Sequence, residues 1–225
     1  MCGRYTLSSP SMKLFERFGL DGEAPELSPN YNVAPTQSVA AILADNNGGG
    51  RRLEALRWGL VPSWAKDPSI GNRMINARSE TAHEKPSFRT AFKRRRCLIL
   101  ADGFYEWRKE DGGKQPFHIR MKDGEPFAFA GLWETWDGLD GELRTCAILT
   151  TEANEMMSEI HHRMPVILPA ELHEAWLGEG VAEKEELIAM MEPHPSEGME
   201  AYPVSRFVNK PSNNDPSCVE PVSAA

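Results

Sequence analysis

Apolar and polar positions alternate along much of the chain, and only a few stretches switch to helical spacing. In "SPSMKLFERFG", Leu14, Phe15 and Phe18 form a stripe, a serine precedes it as a cap and Gly19 follows as a stop, which predicts a short helix. "PELSPNYNVAPTQ" is rich in Pro and Asn and reads as loop. "SVAAILAD" and "RRLEALRWGLVP" flank the "NNGGG" turn and predict a hairpin. "SWAKDPSIGNRMINARSETAHEKPSF" is long and irregular, the kind of loop that is either functional or disordered. "FRTAFKRRR" predicts a short basic helix. "CLILADGFYEW", "PFHIRM", "PFAFAGLWETW" and "LRTCAILTTEA" alternate as strands.

Further helices are expected at "NEMMSEIH", with Asn154 as cap, at "PAELHEAWLG", between Pro169 and Gly178, and at "EKEELIAMM". From Asn209 the sequence "NKPSNNDPSCVEPVSAA" reads as a disordered tail, so residues 209–225 are set apart from a single domain over 2–208. The strands come in runs without regular strand–helix alternation. That pattern favours an α+β fold with a mostly antiparallel sheet.

Composition narrows the possibilities. The chain has 225 residues, 40% of them hydrophobic, enough for a sizeable core. No apolar run approaches the ~20 residues of a membrane span, and no signal peptide is evident, so the cytoplasm is the expected location. The four cysteines, at 2, 97, 146 and 218, are far apart and form no C-x-x-C pair. Cys97 and Cys146 lie in apolar runs and read as inert core residues, while Cys218 lies in a polar segment. The net charge of −8 argues weakly against nucleic acid, but residues 1–120 hold 19 Lys+Arg against 13 Asp+Glu. The acidity is concentrated beyond them, so the first half can still present a phosphate-binding face.

Chemistry centres on the opening "MCGRYT". Cys2 can be a chance small residue after the initiator Met. It can also become the N-terminal residue once Met1 is removed, with an α-amine and a thiol on adjacent carbons. The amine attacks an aldehyde to form an imine, and the thiol closes a five-membered thiazolidine at high effective molarity. The same pair suits acyl transfer, with the thiol as nucleophile and the amine as base. Glu106 stands in the aromatic run "GFYEW", where apolar neighbours favour a protonated carboxyl suited to proton transfer. A place on the solvent face of a strand fits it equally.

In "SEIHHRMPVILP" one of His161 and His162 can serve as acid or base and Arg163 as a phosphate ligand, or the pair is a surface feature. Adjacent histidines make poor joint ligands, so no metal is expected. Asn76 can donate and accept at a reacting centre, amid the charges of Arg73, Arg78, Lys85 and Arg89. Trp58, Trp64 and Trp107 offer faces for stacked bases, although tryptophans serve as readily in packing.

Eight of these segments, "MCGRYT", "NVAPTQ", "RWGLVPSWAKD", "MINARSET", "RRRCLILADGFYEW", "FAFAGLWE", "ILTTEAN" and "IHHRMPVIL", occur in the order found in the SOS-response-associated peptidase (SRAP) family. A weaker "PVSRFVNKPSNND" follows near the end. This resemblance implies a barrel-like β core with short flanking helices. It implies a protein that binds single-stranded DNA and traps the ring-opened aldehyde of an abasic site as a thiazolidine crosslink; a monomer without a cofactor is expected. By similarity the catalytic residues are Cys2, Asn76, Glu106 and His161. Arg4, Arg78, Thr150 and Arg163 would hold phosphates, and Trp64 and Trp107 are candidate DNA contacts. The family name also implies a cysteine peptidase activity that removes residues preceding the Cys. An N-terminal-nucleophile amidohydrolase and a noncovalent single-strand binder are the rival readings.

Overall fold

The alternating segments become strands, which in chain order are β1 (Tyr5–Leu7), β2 (Asn30–Val33), β3 (Ser38–Asp45), β4 (Gly50–Trp58), β5 (Asn76–Arg78), β6 (Arg96–Ala101), β7 (Gly103–Glu110), β8 (Gly113–Met121), β9 (Phe127–Gly138), β10 (Gly141–Glu152), β11 (Arg163–Pro165), β12 (Ile167–Leu168) and β13 (Met199–Pro203). The helices are short: α1 (Ser11–Phe18), α2 (Ser79–Ala82), α3 (Arg89–Arg94), α4 (Glu155–Ser158), α5 (His173–Leu177) and α6 (Lys184–Ala189). The structure is a computed structural model and describes residues 2–45, 50–138, 141–178 and 183–222. The predicted "NNGGG" turn falls largely outside them.

Five strands close on themselves. β10 pairs with β4, β4 with β3, β3 with β6, β6 with β9, and β9 returns to β10. All of these pairings are antiparallel except β10–β4. Closure removes the free edges a five-stranded sheet would otherwise expose. β5 and β11 add to the exit half of β10, β5 in parallel and β11 antiparallel. The fold is α+β, a single domain with a barrel-like core, as the sequence pattern and the resemblance implied.

A second antiparallel sheet runs β13–β8–β7–β1–β2. "CLILADGFYEW" does not form one strand. It breaks at Asp102, with β6 in the barrel and β7 in the second sheet. Asp102 Oδ2 accepts from the amides of Ser8 (2.5 Å) and Ser9 (2.8 Å), which turns the chain out of β1 at the same point. α1 has no side-chain cap, contrary to the expectation, because Pro10 stands at the N-cap position, whereas Gly19 ends the helix with φ +59°. Tyr5 of β1 packs edge-on against Trp58 and Phe129 of the barrel, all three buried, and ties the sheets together.

The irregular stretch 63–88 contains β5 and α2, too short to be read from periodicity. Cys97 and Cys146 are buried core residues, as expected. The segment from Asn209, expected to be disordered, follows a defined path as far as Val222. Cys218 is buried against Tyr105, Val204 and Val208, and the Asn32 amide donates to the carbonyls of Val208, Lys210 and Asn213. A polar composition hid these internal partners. Residues 223–225 lie outside the described residues.

Candidate active site

Cys2 lies where the two sheets meet. It precedes β1, and the Tyr105 amide donates to the Arg4 carbonyl at 3.0 Å, in register with the Tyr5–Phe104 pair. Continued toward the N-terminus, that register sets Cys2 and Gly3 opposite Trp107 and Glu106. Cys2 is fully buried and Glu106 nearly so. Burial pushes the thiol well above its ordinary pKa, and the Glu106 charge pushes it in the same direction. From the barrel side, β5 pairs with β10 and delivers Asn76, whose Nδ2 donates to the Cys2 carbonyl at 2.7 Å. Asn76 Oδ1 is buried with no partner among the described residues. Three sequence-predicted residues are thus brought together from three separate strands or their flanks.

Arg78, two residues after Asn76, is exposed. Arg163 starts β11, opposite Glu152 of β10, and is buried. Its Nη2 donates to the Thr150 carbonyl at 2.5 Å, and both Nη atoms engage the Glu80 carboxylate. Thr150 is wholly buried, with its hydroxyl 3.5 Å from Arg163 Nη2. It sits beneath the guanidinium and has no surface to offer a phosphate.

His161 and His162 stack with their ring centres 4.4 Å apart. His161 Nδ1 lies 3.0 Å from the Arg163 amide nitrogen and 3.1 Å from the Arg163 carbonyl oxygen, which ties the ring to the start of β11. The His161 neighbour lowers the pKa of exposed His162, and Arg163 and Arg78 act in the same sense, so these four groups share one electrostatic neighbourhood.

The three remaining predicted DNA contacts, Trp64, Trp107 and Arg4, differ in their surroundings. Trp64 is 59% exposed and its indole N–H donates to the Pro86 carbonyl at 3.4 Å. It lines an open cavity of about 730 Å³ with Lys66, Asn72 and Arg73. Trp107 is half-buried and donates to Asn209 Oδ1 at 2.8 Å. Arg4 donates to Asn32 Oδ1 and to the carbonyls of Val208 and Asn209, at 2.9, 2.9 and 3.3 Å. Most of its donors are committed inside the protein, so it clamps the C-terminal segment to the strand that carries Cys2. Trp58 is wholly buried and donates to the Ile75 carbonyl at 2.9 Å, the packing alternative. Glu80 and Asn32 were not singled out in the sequence. Both lie inside recognised motifs, but their partners are far away in the chain.

A sequence model of the family described as SOS response associated peptidase (SRAP) matches residues 1–211. The chain is 48% identical over 224 residues to the abasic site processing protein YoqW of Bacillus subtilis, covering 98% of this chain and 99% of the relative. It is 37% identical to the abasic site processing protein HMCES of Gallus gallus, covering 86% of this chain and 66% of that protein. Among solved structures, a protein from Bacteroides thetaiotaomicron superposes with a TM-score of 0.89 at 30% identity, over 99% of this chain and all of that one. A protein from Bordetella bronchiseptica superposes with a TM-score of 0.78 at 26% identity, over 91% of this chain and all of that one.

Proposed function

Since the chain belongs to the SOS response associated peptidase family, we propose that it binds single-stranded DNA and captures abasic sites covalently through Cys2. The observation that carries this reading is the Cys2 setting: a buried thiol beside Glu106, its carbonyl held by Asn76. The names of its relatives, abasic site processing proteins, support the substrate class. On this proposal it acts on cellular DNA, in the cytoplasm or at a nucleoid, and we take it to work as a monomer without a cofactor.

After Met1 is removed, the Cys2 amine adds to the C1 aldehyde of the opened deoxyribose, and loss of water leaves an imine. The thiol then adds to the imine carbon, and its proton passes to the ring nitrogen. The amine acts first, because only it can form the imine to which the neighbouring thiol then adds. The thiol needs a local base at the second step, and Glu106 supplies it and returns the proton. Asn76 fixes the Cys2 carbonyl, and its free Oδ1 is an acceptor for the new N-terminal amine or a sugar hydroxyl. His161 moves the proton that opens the deoxyribose ring. Arg78 and Arg163 hold backbone phosphates, Trp64 offers a stacking face, and Thr150 supports Arg163 from below.

The test is to mix the protein with an abasic single-stranded oligonucleotide and run a denaturing gel. A heat-stable adduct is expected from the processed protein, none from Cys2→Ala, and none from protein that retains Met1. A wild-type adduct from the Met1-retaining form would overturn the ring chemistry. A noncovalent binder gives no adduct at all, and an amidohydrolase acylates Cys2 with a small amide whether or not DNA is present.

A further inference from the structure

Arg163 presents a fork of donors that suits a phosphate, and an anion from the chain itself already fills it. Nη1 and Nη2 both meet the Glu80 carboxylate, Nη2 at 3.0 Å. The Arg163 side chain is 9% exposed and that of Glu80 45%. Arg163 Nε is buried with no partner among the described residues. A fixed structural pair commonly buries both members and satisfies every donor. Here the cation is anchored by the Thr150 carbonyl while the anion stands half in water. Glu80 follows Arg78 by two residues, and the charges of both Arg163 and Arg78 act on its carboxylate. A carboxylate and a phosphodiester each offer a guanidinium two oxygens in the same bidentate geometry.

We propose that Glu80 is an internal stand-in for a backbone phosphate, occupying the Arg163 fork in the free protein and leaving it when a DNA strand binds. This rests on the reading of Arg163 as a phosphate ligand. The cost of release is small, because a half-exposed carboxylate is readily rehydrated. It is nevertheless charged against every noncovalent encounter. Undamaged strands are held weakly and leave, whereas a strand with an abasic site is retained by the covalent bond whatever the noncovalent affinity. Glu80 thereby contributes selectivity for the lesion by suppressing a competing complex.

The experiment measures the dissociation constant for an unmodified single-stranded oligonucleotide at fixed salt. The proteins are the wild type, Glu80→Gln, Glu80→Asp, Arg163→Gln and the Glu80→Gln/Arg163→Gln pair. Glu80→Gln should tighten binding about three- to fivefold, the span of a partly exposed ion pair. Glu80→Asp keeps the charge but shortens the reach, and should also tighten binding. The gain from Glu80→Gln should vanish in the Arg163→Gln background. In crosslinking assays, undamaged competitor DNA should inhibit Glu80→Gln more than the wild type by the same factor. Unchanged or weaker binding by both Glu80 variants would show the pair to be permanent and overturn the proposal. If Arg163→Gln binds like the wild type, the phosphate reading of Arg163 falls, and the stand-in with it. If Arg163→Gln weakens binding but Glu80→Gln does not strengthen it, only the stand-in falls.

Discussion

Glu106→Gln keeps the size of the side chain and its capacity for hydrogen bonds but removes the proton that must move. A group serving ring closure serves ring opening too, since one transition state is crossed in both directions. The variant should therefore form the crosslink more slowly and release it more slowly, each by roughly 10²-fold. The measurements are a crosslinking time course and the transfer of pre-linked protein to excess fresh abasic DNA. Release at the wild-type rate would remove Glu106 from the reversal chemistry. His161→Ala should instead slow capture of closed-ring abasic sites more than capture of a linear aldehyde, because its role ends once the ring is open. At this scale the sequence was most informative where chemistry is local. Cys2, Asn76 and Glu106 were readable from short motifs, and the structure gathers them. What could not be read is which charges are already spent. Arg163 meets Glu80 from 83 residues away, and Arg4 meets Val208 across 204, separations that no motif encodes.

Strands of eight to twelve residues, such as β3, β9 and β10, were legible because alternation persists long enough to be seen. β5 was not, since three residues carry no period, yet it positions Asn76 and Arg78. The C-terminal segment was not legible for a different reason: its few apolar residues, Val208 and Cys218, are buried only because polar partners far away in the chain, Asn32 foremost, hold the backbone around them. The buried Asn32 amide donates to three carbonyls of residues 208–213, and its Oδ1 accepts from Arg4 Nη1. Asn32→Ala removes these bonds, although each carbonyl keeps a second donor, from Arg4 Nη1, the Asn213 amide and the Cys218 thiol, so the cost is about 1–3 kcal/mol. It should lower stability in urea unfolding and open a protease-sensitive site between residues 209 and 222. Because the same cluster holds Arg4, two residues from Cys2, crosslinking should slow while affinity for undamaged single strands changes little. Wild-type stability together with a protected C-terminal segment would show that the segment is held by other contacts.

Closure of the barrel through the parallel β10–β4 pair joins segments about ninety residues apart, Cys146 to Trp58, and nothing local in either strand announces it. The whole molecule also contains a buried titrating group that the sequence did not flag. His118 of β8 is 3% exposed, with Nε2 3.3 Å from Thr6 Oγ1 and Nδ1 3.0 Å from the Tyr202 hydroxyl. Burial, with the nearby Arg120 charge adding to it, pushes its pKa down to about 3. Above pH 6.5 the ring is neutral in both the folded and unfolded chains and adds no pH dependence. Between pH 6.5 and about 3 the unfolded chain takes up a proton that the folded chain refuses, so stability falls as the pH falls. The slope approaches ~1.4 kcal/mol per pH unit, and the full loss is up to ~5 kcal/mol. Glu54 and Glu80, held below their ordinary range chiefly by arginine hydrogen bonds, lose their contribution only at lower pH, near and below the ordinary carboxylate value. The interval from pH 6.5 to 5 therefore isolates the histidines. His118→Gln retains a donor and an acceptor but cannot titrate. Its unfolding free energy, followed by urea titration at half-unit steps across that interval, should be flatter than that of the wild type by close to the one-proton slope. Parallel curves would mean that His118 is protonated in the folded state, and that the contact between β1 and β8 is built on an imidazolium.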